Sequence, residues 1–135
     1  MASRRSSLVV TAVVALVSVA TAQQATAPRR GGNPEAAKAK SPIASSAESI
    51  AAGRQTYQRL CARCHGFEGK GDGGGAGAGG QPADFTDSAW DFGGSEGEVF
   101  FSIKDGTSAD MESYADRLKD PEIWNLVNYV RSLSR

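Results

Sequence analysis

Side chains that bind metals or carry out redox chemistry are scarce in this sequence of 135 residues. It has two cysteines, one histidine and two methionines. A structural zinc site almost always takes four protein ligands from cysteine and histidine. Cys61, Cys64 and His65 supply only three such ligands, so a zinc site of that kind is excluded.

An excess of basic residues is also lacking, because 15 lysines and arginines are balanced by 15 aspartates and glutamates. Residues 1–45 contain six basic residues and one acidic residue, whereas residues 46–135 contain nine basic and fourteen acidic residues, a net charge of −5. Nucleic-acid binding needs a basic face, so we expect no nucleic-acid partner. A protein partner with a basic docking patch would suit residues 46–135 better.

Only one long apolar run is present, from Leu8 to Ala20, and two arginines precede it. It falls short of the roughly 18 to 20 residues that a membrane-spanning helix needs. The charged start, the apolar run and the small-residue sites at residues 20–22 and 25–27 are typical of a secretory signal peptide. We therefore predict a signal peptide over residues 1–22, with cleavage after residue 27 as the alternative. The chain is predicted to be periplasmic or otherwise exported, with membrane attachment only if this segment stays uncleaved.

Residues 23–45 have no apolar periodicity and no aromatic side chain, and they are rich in Ala, Pro, Gly, Ser and Lys. Such a composition favours a flexible linker. The ordered domain is then predicted over residues 46–135, and its first helix begins near the capping-box pattern Ser45–Glu48. The helical stripe of that first helix is Ile50, Gly53, Tyr57 and Leu60.

No segment alternates convincingly between apolar and polar residues, so the domain is predicted to be all-α. A second capping box at Ser95–Glu98 opens a helix that Gly106 can end. The last helix is predicted to have Asp120 as its N-cap and Pro121 as its first helical residue. Its buried face would be Ile123, Leu126, Val127, Val130 and Leu133, flanked by Trp124 and Tyr129.

The first helix runs directly into Cys61-Ala-Arg-Cys64-His65. This spacing is a signature of c-type haem attachment, in which both thiols bind the haem and the next histidine ligates its iron. A thiol-redox or disulfide protein is the alternative, because cysteines in an oxidising compartment ordinarily form a disulfide. A thioredoxin-like motif would open a helix near a βαβ unit, and no such pattern is visible.

A glycine-rich segment, Gly69 to Gly80, follows the motif. It contains matches to phosphate-binding glycine patterns, but no β-strand precedes them and no Gly-Lys-Ser/Thr ending follows. We therefore predict a mobile surface loop beside the haem.

Over residues 46–135 the chain resembles the class I cytochrome c family. The resemblance rests on the Cys61–His65 motif, on Gly53 and Tyr57 before it, and on Leu126-Val-Asn-Tyr129 in the last helix. In that family a glycine and an aromatic residue on the first helix cross a leucine and an aromatic residue on the last. The resemblance implies a cytochrome c fold, with several helices wrapped around one covalently bound haem c and its iron.

The resemblance also implies a methionine as the second iron ligand. Met111 is the only methionine left once Met1 departs with the signal peptide, and it is predicted to ligate the iron together with His65. Glu112 follows it where the family commonly has proline. Pro82 resembles the family proline whose carbonyl accepts a hydrogen bond from the proximal histidine. Three aromatic residues are candidates for the haem-pocket wall or for ordinary core packing: Phe85, Trp90 and Tyr114.

Together these features predict a one-electron carrier of the periplasm, not an enzyme, with a His/Met-ligated c-type haem. Its expected partners are redox proteins such as a periplasmic dehydrogenase or a terminal oxidase. Two alternatives stay open: a haem protein whose open sixth position serves a small-molecule sensor or enzyme, and a haem-free thiol or disulfide protein. The absence of a second histidine counts against peroxidase-like acid–base chemistry.

Overall fold

The computed structural model describes residues 31–75 and 80–134. Their regular structure is helical, with no strand in either range, which confirms the all-α prediction. A 3-10 helix at Ala36–Lys38 precedes four α-helices: α1 (Ala47–Leu60), α2 (Ala62–His65), α3 (Glu96–Asp105) and α4 (Asp120–Leu133). None of the helices within these ranges is long and apolar enough to span a bilayer. The predicted signal peptide and both cleavage sites lie outside the described residues.

The centre of the fold is the crossing of α1 and α4. A methyl group at Gly53 would come too close to the backbone of Asn125 and to Cβ of Tyr129, so only glycine allows this approach. Beside the crossing the rings of Tyr57 and Tyr129 lie 5.1 Å apart. The predicted contact between the first and last helices is therefore present.

The capping residues explain where the helices begin. At α3, Ser95 Oγ accepts a hydrogen bond from the Glu98 backbone N–H, and the Glu98 carboxylate accepts one from the Ser95 N–H. This confirms the predicted capping box. Gly106 ends the helix with a φ of 78°, a conformation that glycine adopts without strain.

Two predicted caps were displaced by one residue. At α1 the N-cap is Ser46, whose Oγ accepts from the Ser49 N–H. The backbone N–H that donates this bond belongs to Ser49, so the predicted box from Ser45 to Glu48 does not form. At α4 the N-cap is Lys119, and Asp120 is the first helical residue.

The buried face of α4 is wider than predicted. Ile123, Leu126, Val127 and Val130 are buried as expected, while Leu133 is only partly buried. Trp124 and Tyr129, predicted to flank this face, are themselves buried. Additional cover comes from residues 31–45, since the side chain of Asn128 donates to the carbonyls of Ile43 and Ala44.

Residues 31–45, which composition assigned to the linker, pack against α3 and α4. Ala36 is buried, and its carbonyl lies so close to Gly97 on α3 that a Cβ there would clash. The Asn33 N–H donates to the Glu98 carboxylate. Ala39 and Ile43 also pack against the core, but most of these contacts use backbone groups and short side chains, so they leave no apolar periodicity in the sequence. The packed body accordingly begins before Ser46.

Candidate haem-binding site

The turn that carries the motif continues from the end of α1. The Cys61 N–H donates to the Tyr57 carbonyl, and the His65 N–H donates to the Cys61 carbonyl. Since residues three apart on a helix lie on the same side, the thiols of Cys61 and Cys64 share one side of α2. Both thiols are free and partly buried. The structure thus brings Cys61, Cys64 and His65 together on one helical turn.

Burial controls the chemistry of the first thiol. It raises the pKa of Cys61 to about 12, although the nearby Arg117 charge acts in the opposite direction. A redox-active thiol of the thioredoxin kind needs a lowered pKa, since the thiolate is the nucleophile. Cys61 therefore lacks the electrostatic setting of such a thiol.

The imidazole of His65 is held on two sides. Its Nδ1 lies 3.3 Å from the carbonyl oxygen of Ala83, and its ring stacks on Phe85 with 4.6 Å between ring centres. A carbonyl oxygen can only accept, so Nδ1 must carry the proton and Nε2 keeps its lone pair. Burial lowers the pKa of His65, which favours the neutral ring. The site therefore presents a neutral nitrogen of the kind that binds haem iron.

The partner carbonyl differs from the predicted one. The sequence pointed to Pro82, whereas the structure uses Ala83, the next residue. The Pro82 carbonyl instead lies against Gly71, where a Cβ would clash with it. A loop carbonyl does orient the histidine, as predicted, but the residue that supplies it is Ala83 and not Pro82.

The first part of the glycine-rich segment is bonded to the motif. Backbone N–H groups of Gly71, Gly73 and Gly75 donate to the carbonyls of residues 65, 64 and 63 at 2.8 to 3.1 Å. A Cβ at Gly73 would clash with the backbone of Arg63 and Cys64. These glycines permit close approach of two backbones, so residues 69–75 are bonded to the motif. Residues 76–79 of the predicted mobile loop lie outside the described residues, and its mobility stays a prediction.

A buried hydroxyl that the sequence analysis did not assign supports the same turn. Tyr57 is fully buried, and its Oη donates to the Gly66 carbonyl at 2.7 Å. The residue was predicted only as part of the apolar stripe, because an aromatic at helical spacing does not reveal what its hydroxyl contacts. Its ring also meets Phe85 edge-on, at 6.4 Å between centres.

Met111 lies in a separate loop between α3 and α4. Its carbonyl accepts from the Thr107 N–H at 2.8 Å, and its N–H donates to Ser108 Oγ at 3.1 Å. The side chain is partly buried and packs against the core. Met111 is thus held by its own loop, apart from the helical turn of Cys61, Cys64 and His65.

The donor set fits a haem better than a protein-bound ion. Among the described residues, no three Cys, His, Asp or Glu side chains are grouped so that they could hold a metal ion. A haem supplies its own four nitrogen ligands and needs from the protein only thiols for attachment and one or two axial ligands. Two thiols beside one oriented, neutral imidazole match that requirement.

Comparison with known proteins decides the family. A family model described as cytochrome c oxidase, cbb3-type, subunit III matches residues 48–130. The chain belongs to this family of c-type cytochromes. It is a single-haem class I cytochrome c and an electron-transfer haem protein, with covalently bound haem c and its iron.

Solved structures agree with this assignment. The cytochrome is 36% identical to a chain of a reducing HAO-like protein complex from Kuenenia stuttgartiensis, with a TM-score of 0.64 over 70% of this chain and 47% of that one. It therefore spans about half of that relative. A c-type cytochrome named KustC0563 is 29% identical, with a TM-score of 0.53 over 62% of this chain and 98% of its own.

More distant matches bear on the fold alone. Cytochrome cL from the methylotroph Methylophaga aminisulfidivorans is 24% identical, with a TM-score of 0.53 over 64% of this chain and 54% of its own. The cytochrome c fold predicted from the sequence is thereby confirmed.

Proposed function

We propose that this cytochrome c is an exported one-electron carrier, in which Cys61 and Cys64 attach the haem and His65 and Met111 ligate its iron. Each thiol would add across one vinyl group of the haem, with sulfur bonding to one vinyl carbon and the thiol hydrogen passing to the other. The proposal rests on the His65 ring, whose Nδ1 is occupied by the Ala83 carbonyl while both thiols lie on the same helical turn.

The protein's part in electron transfer is to hold the haem and to shield the histidine that ligates its iron. When bound, the haem supplies the iron that takes up or releases one electron. Phe85 covers one face of the His65 ring, and Trp90 stacks behind Phe85 at 5.7 Å. These rings shield one face of the His65 imidazole. The Met111 thioether would complete the iron coordination, and a methionine ligand favours the reduced state and raises the potential.

Surface charge supports a partner with a basic docking patch. The stretch from residue 104 to 122 carries three basic residues and six acidic ones. The acidic side chains are all exposed: Asp105, Asp110, Glu112, Asp116, Asp120 and Glu122. A basic partner would be steered towards such a face, and the encounter would be fast and salt-sensitive. We propose a periplasmic dehydrogenase or a terminal oxidase as the partner, and no nucleic acid.

The deciding experiment is a visible and near-infrared spectrum of the mature protein in both redox states, after expression with a haem-maturation system. We expect a low-spin spectrum with the near-infrared methionine-to-iron band in the ferric protein. Met111→Leu should abolish this band, whereas Ile50→Leu, a change at another partly buried apolar residue, should keep it.

Two outcomes would contradict the proposal. A resting ferric protein that is high-spin, or that lacks the near-infrared band, would favour the open sixth position of a sensor or enzyme. Haem that stays attached under denaturing conditions in a Cys61→Ala, Cys64→Ala double variant would refute the attachment residues.

A further inference from the structure

The loop of Met111 is closed by a hydrogen bond of its own and is fixed downstream to α3. The Thr107 N–H bonds to Met111 itself, directly after Gly106 ends the helix. Downstream, the Tyr114 N–H donates to the Ile103 carbonyl at 3.2 Å, and Ser113 Oγ donates to the Lys104 carbonyl at 2.6 Å. These bonds fix the loop to α3. They leave open what joins it to the turn of Cys61, Cys64 and His65.

A chain of side-chain contacts supplies that connection. Glu112, the residue after Met111, forms an ion pair with Arg117 at 2.9 Å. The Arg117 guanidinium lies over the Tyr114 ring, 4.3 Å from its centre. The Tyr114 hydroxyl donates to the Leu60 carbonyl at 3.4 Å, and Leu60 immediately precedes the motif.

The position of Arg117 reinforces this connection. Its charge opposes the effect of burial on the pKa of the Cys61 thiol. Tyr114 is partly buried and packs against the core. A planar guanidinium over such a ring makes a cation–π contact, with the ion pair fixing its orientation. The cation therefore joins Glu112 to the Tyr114 ring, and the Tyr114 hydroxyl makes the contact with Leu60.

We propose that Tyr114 and Arg117 are positioning residues that clamp the Met111 loop to the Leu60–Cys61 segment and so strengthen the hold of Met111 on the iron. The inference rests on the proposed His65/Met111 ligation and deepens it. Loss of the clamp lets the loop swing away, so an external ligand displaces Met111 more easily. The protein core stays packed, because Arg117 and Glu112 are both exposed.

The size of the effect follows from these contacts. Exposed ion pairs and exposed cation–π contacts are each weak. Removing both with Arg117→Gln should tighten the apparent binding of imidazole to the ferric protein by roughly 3- to 10-fold. Arg117→Lys keeps the charge and loses the planar stack, so it should show a smaller change. Glu112→Gln loses the pair alone and should also fall between wild type and Arg117→Gln.

The test is an imidazole titration of the purified holoprotein, followed by loss of the near-infrared methionine-to-iron band. Lys38→Gln is the matched control, since it removes an exposed ion pair with Glu35 of 2.7 Å elsewhere and should leave the affinity unchanged. Tyr114→Leu, which removes the ring and the hydroxyl, should equal or exceed Arg117→Gln.

The two proposals fail in different ways. If the wild-type protein shows no band, the His65/Met111 ligation itself is refuted. If the wild type shows the band and Arg117→Gln and Tyr114→Leu bind imidazole with wild-type affinity, the ligation stands and the clamp is refuted. An equal change in Lys38→Gln would likewise overturn the clamp, because the effect would then be one of general charge.

Discussion

Tyr57→Phe isolates one hydrogen bond that supports the haem-binding turn. The ring of Tyr57 is fully buried, and its hydroxyl donates to the Gly66 carbonyl at 2.7 Å. Burial raises the pKa of Tyr57 above its ordinary value, so the hydroxyl stays protonated and donates at any ordinary pH. Phenylalanine keeps the ring and its contacts and removes only this donor.

The magnitude follows from what the change leaves behind. Gly66 is buried, and its carbonyl also accepts from the Gly69 N–H at 3.2 Å, so the change removes one of two donors and does not leave the acceptor bare. The net contribution of one such hydrogen bond is about 0.5 to 1.5 kcal/mol. For a domain of this size each kcal/mol lowers Tm by about 4 to 8 °C. We therefore expect Tyr57→Phe to melt roughly 2 to 12 °C below the wild type.

Thermal unfolding of the holoprotein, followed by far-ultraviolet circular dichroism, measures this loss. Tyr114→Phe is the matched control, because its hydroxyl makes a longer bond of 3.4 Å from a partly buried site. Its Tm should fall by much less. Equal melting temperatures for Tyr57→Phe and the wild type would refute the reasoning, since the Gly66 carbonyl would then not depend on this donor.

Three further predictions concern packing, potential and pH. Gly53→Ala should lower the free energy of unfolding by about 1 to 3 kcal/mol, because it forces α1 and α4 apart. Gly74→Ala is the control and should leave it unchanged, because a Cβ there meets nothing within 4 Å. Denaturant midpoints compare the two variants, and equal midpoints would contradict the tight crossing. Phe85→Leu uncovers one face of the His65 ring and should lower the reduction potential by admitting water; an unchanged potential in a redox titration would argue against shielding. Burial raises the pKa of Glu98, but hydrogen bonds from Ser95 and Asn33 outweigh it and leave that pKa below its ordinary value; its carboxylate therefore stabilises the fold above about pH 4.5 and loses this effect as pH falls. Glu98→Gln should accordingly flatten the acid side of the stability profile, and an unchanged acid limb would count against the role of these bonds.

Local patterns in the sequence predicted much of the fold. The box at Ser95 and Glu98, the glycine at the end of α3 and the apolar period of α4 each reflect interactions within a few residues, which sequence spacing records directly. The Cys61–His65 spacing is local in the same sense, and it predicted the candidate attachment residues that the structure brings together on one turn. Gly53 could be predicted only through a family resemblance, because the helix that it meets lies far along the chain.

Contacts made by backbone groups could not be predicted from local sequence patterns. The packing of residues 31–45 relies largely on carbonyl oxygens and on the small side chains of Ala36 and Ala39, with Ile43 as the one larger apolar residue, so composition alone resembled a linker. The choice of Ala83 over Pro82 depends on where one carbonyl points, and any residue carries a carbonyl. The ion pair of Glu112 with Arg117 joins residues whose exposed, charged character is ordinary on any surface.

His65 is held more firmly by its surroundings than Met111 is. His65 is held by a backbone carbonyl, a stacked ring and a turn whose end is bonded to the buried Tyr57. Met111 depends on a loop whose link to the motif is an exposed ion pair and a long hydrogen bond. A weakly held segment opens at lower free energy than a buried one. With the proposed His65/Met111 ligation, any exchange of ligands at the iron should therefore begin at Met111. Histidine ligation should survive conditions of pH or added ligand that already remove the methionine.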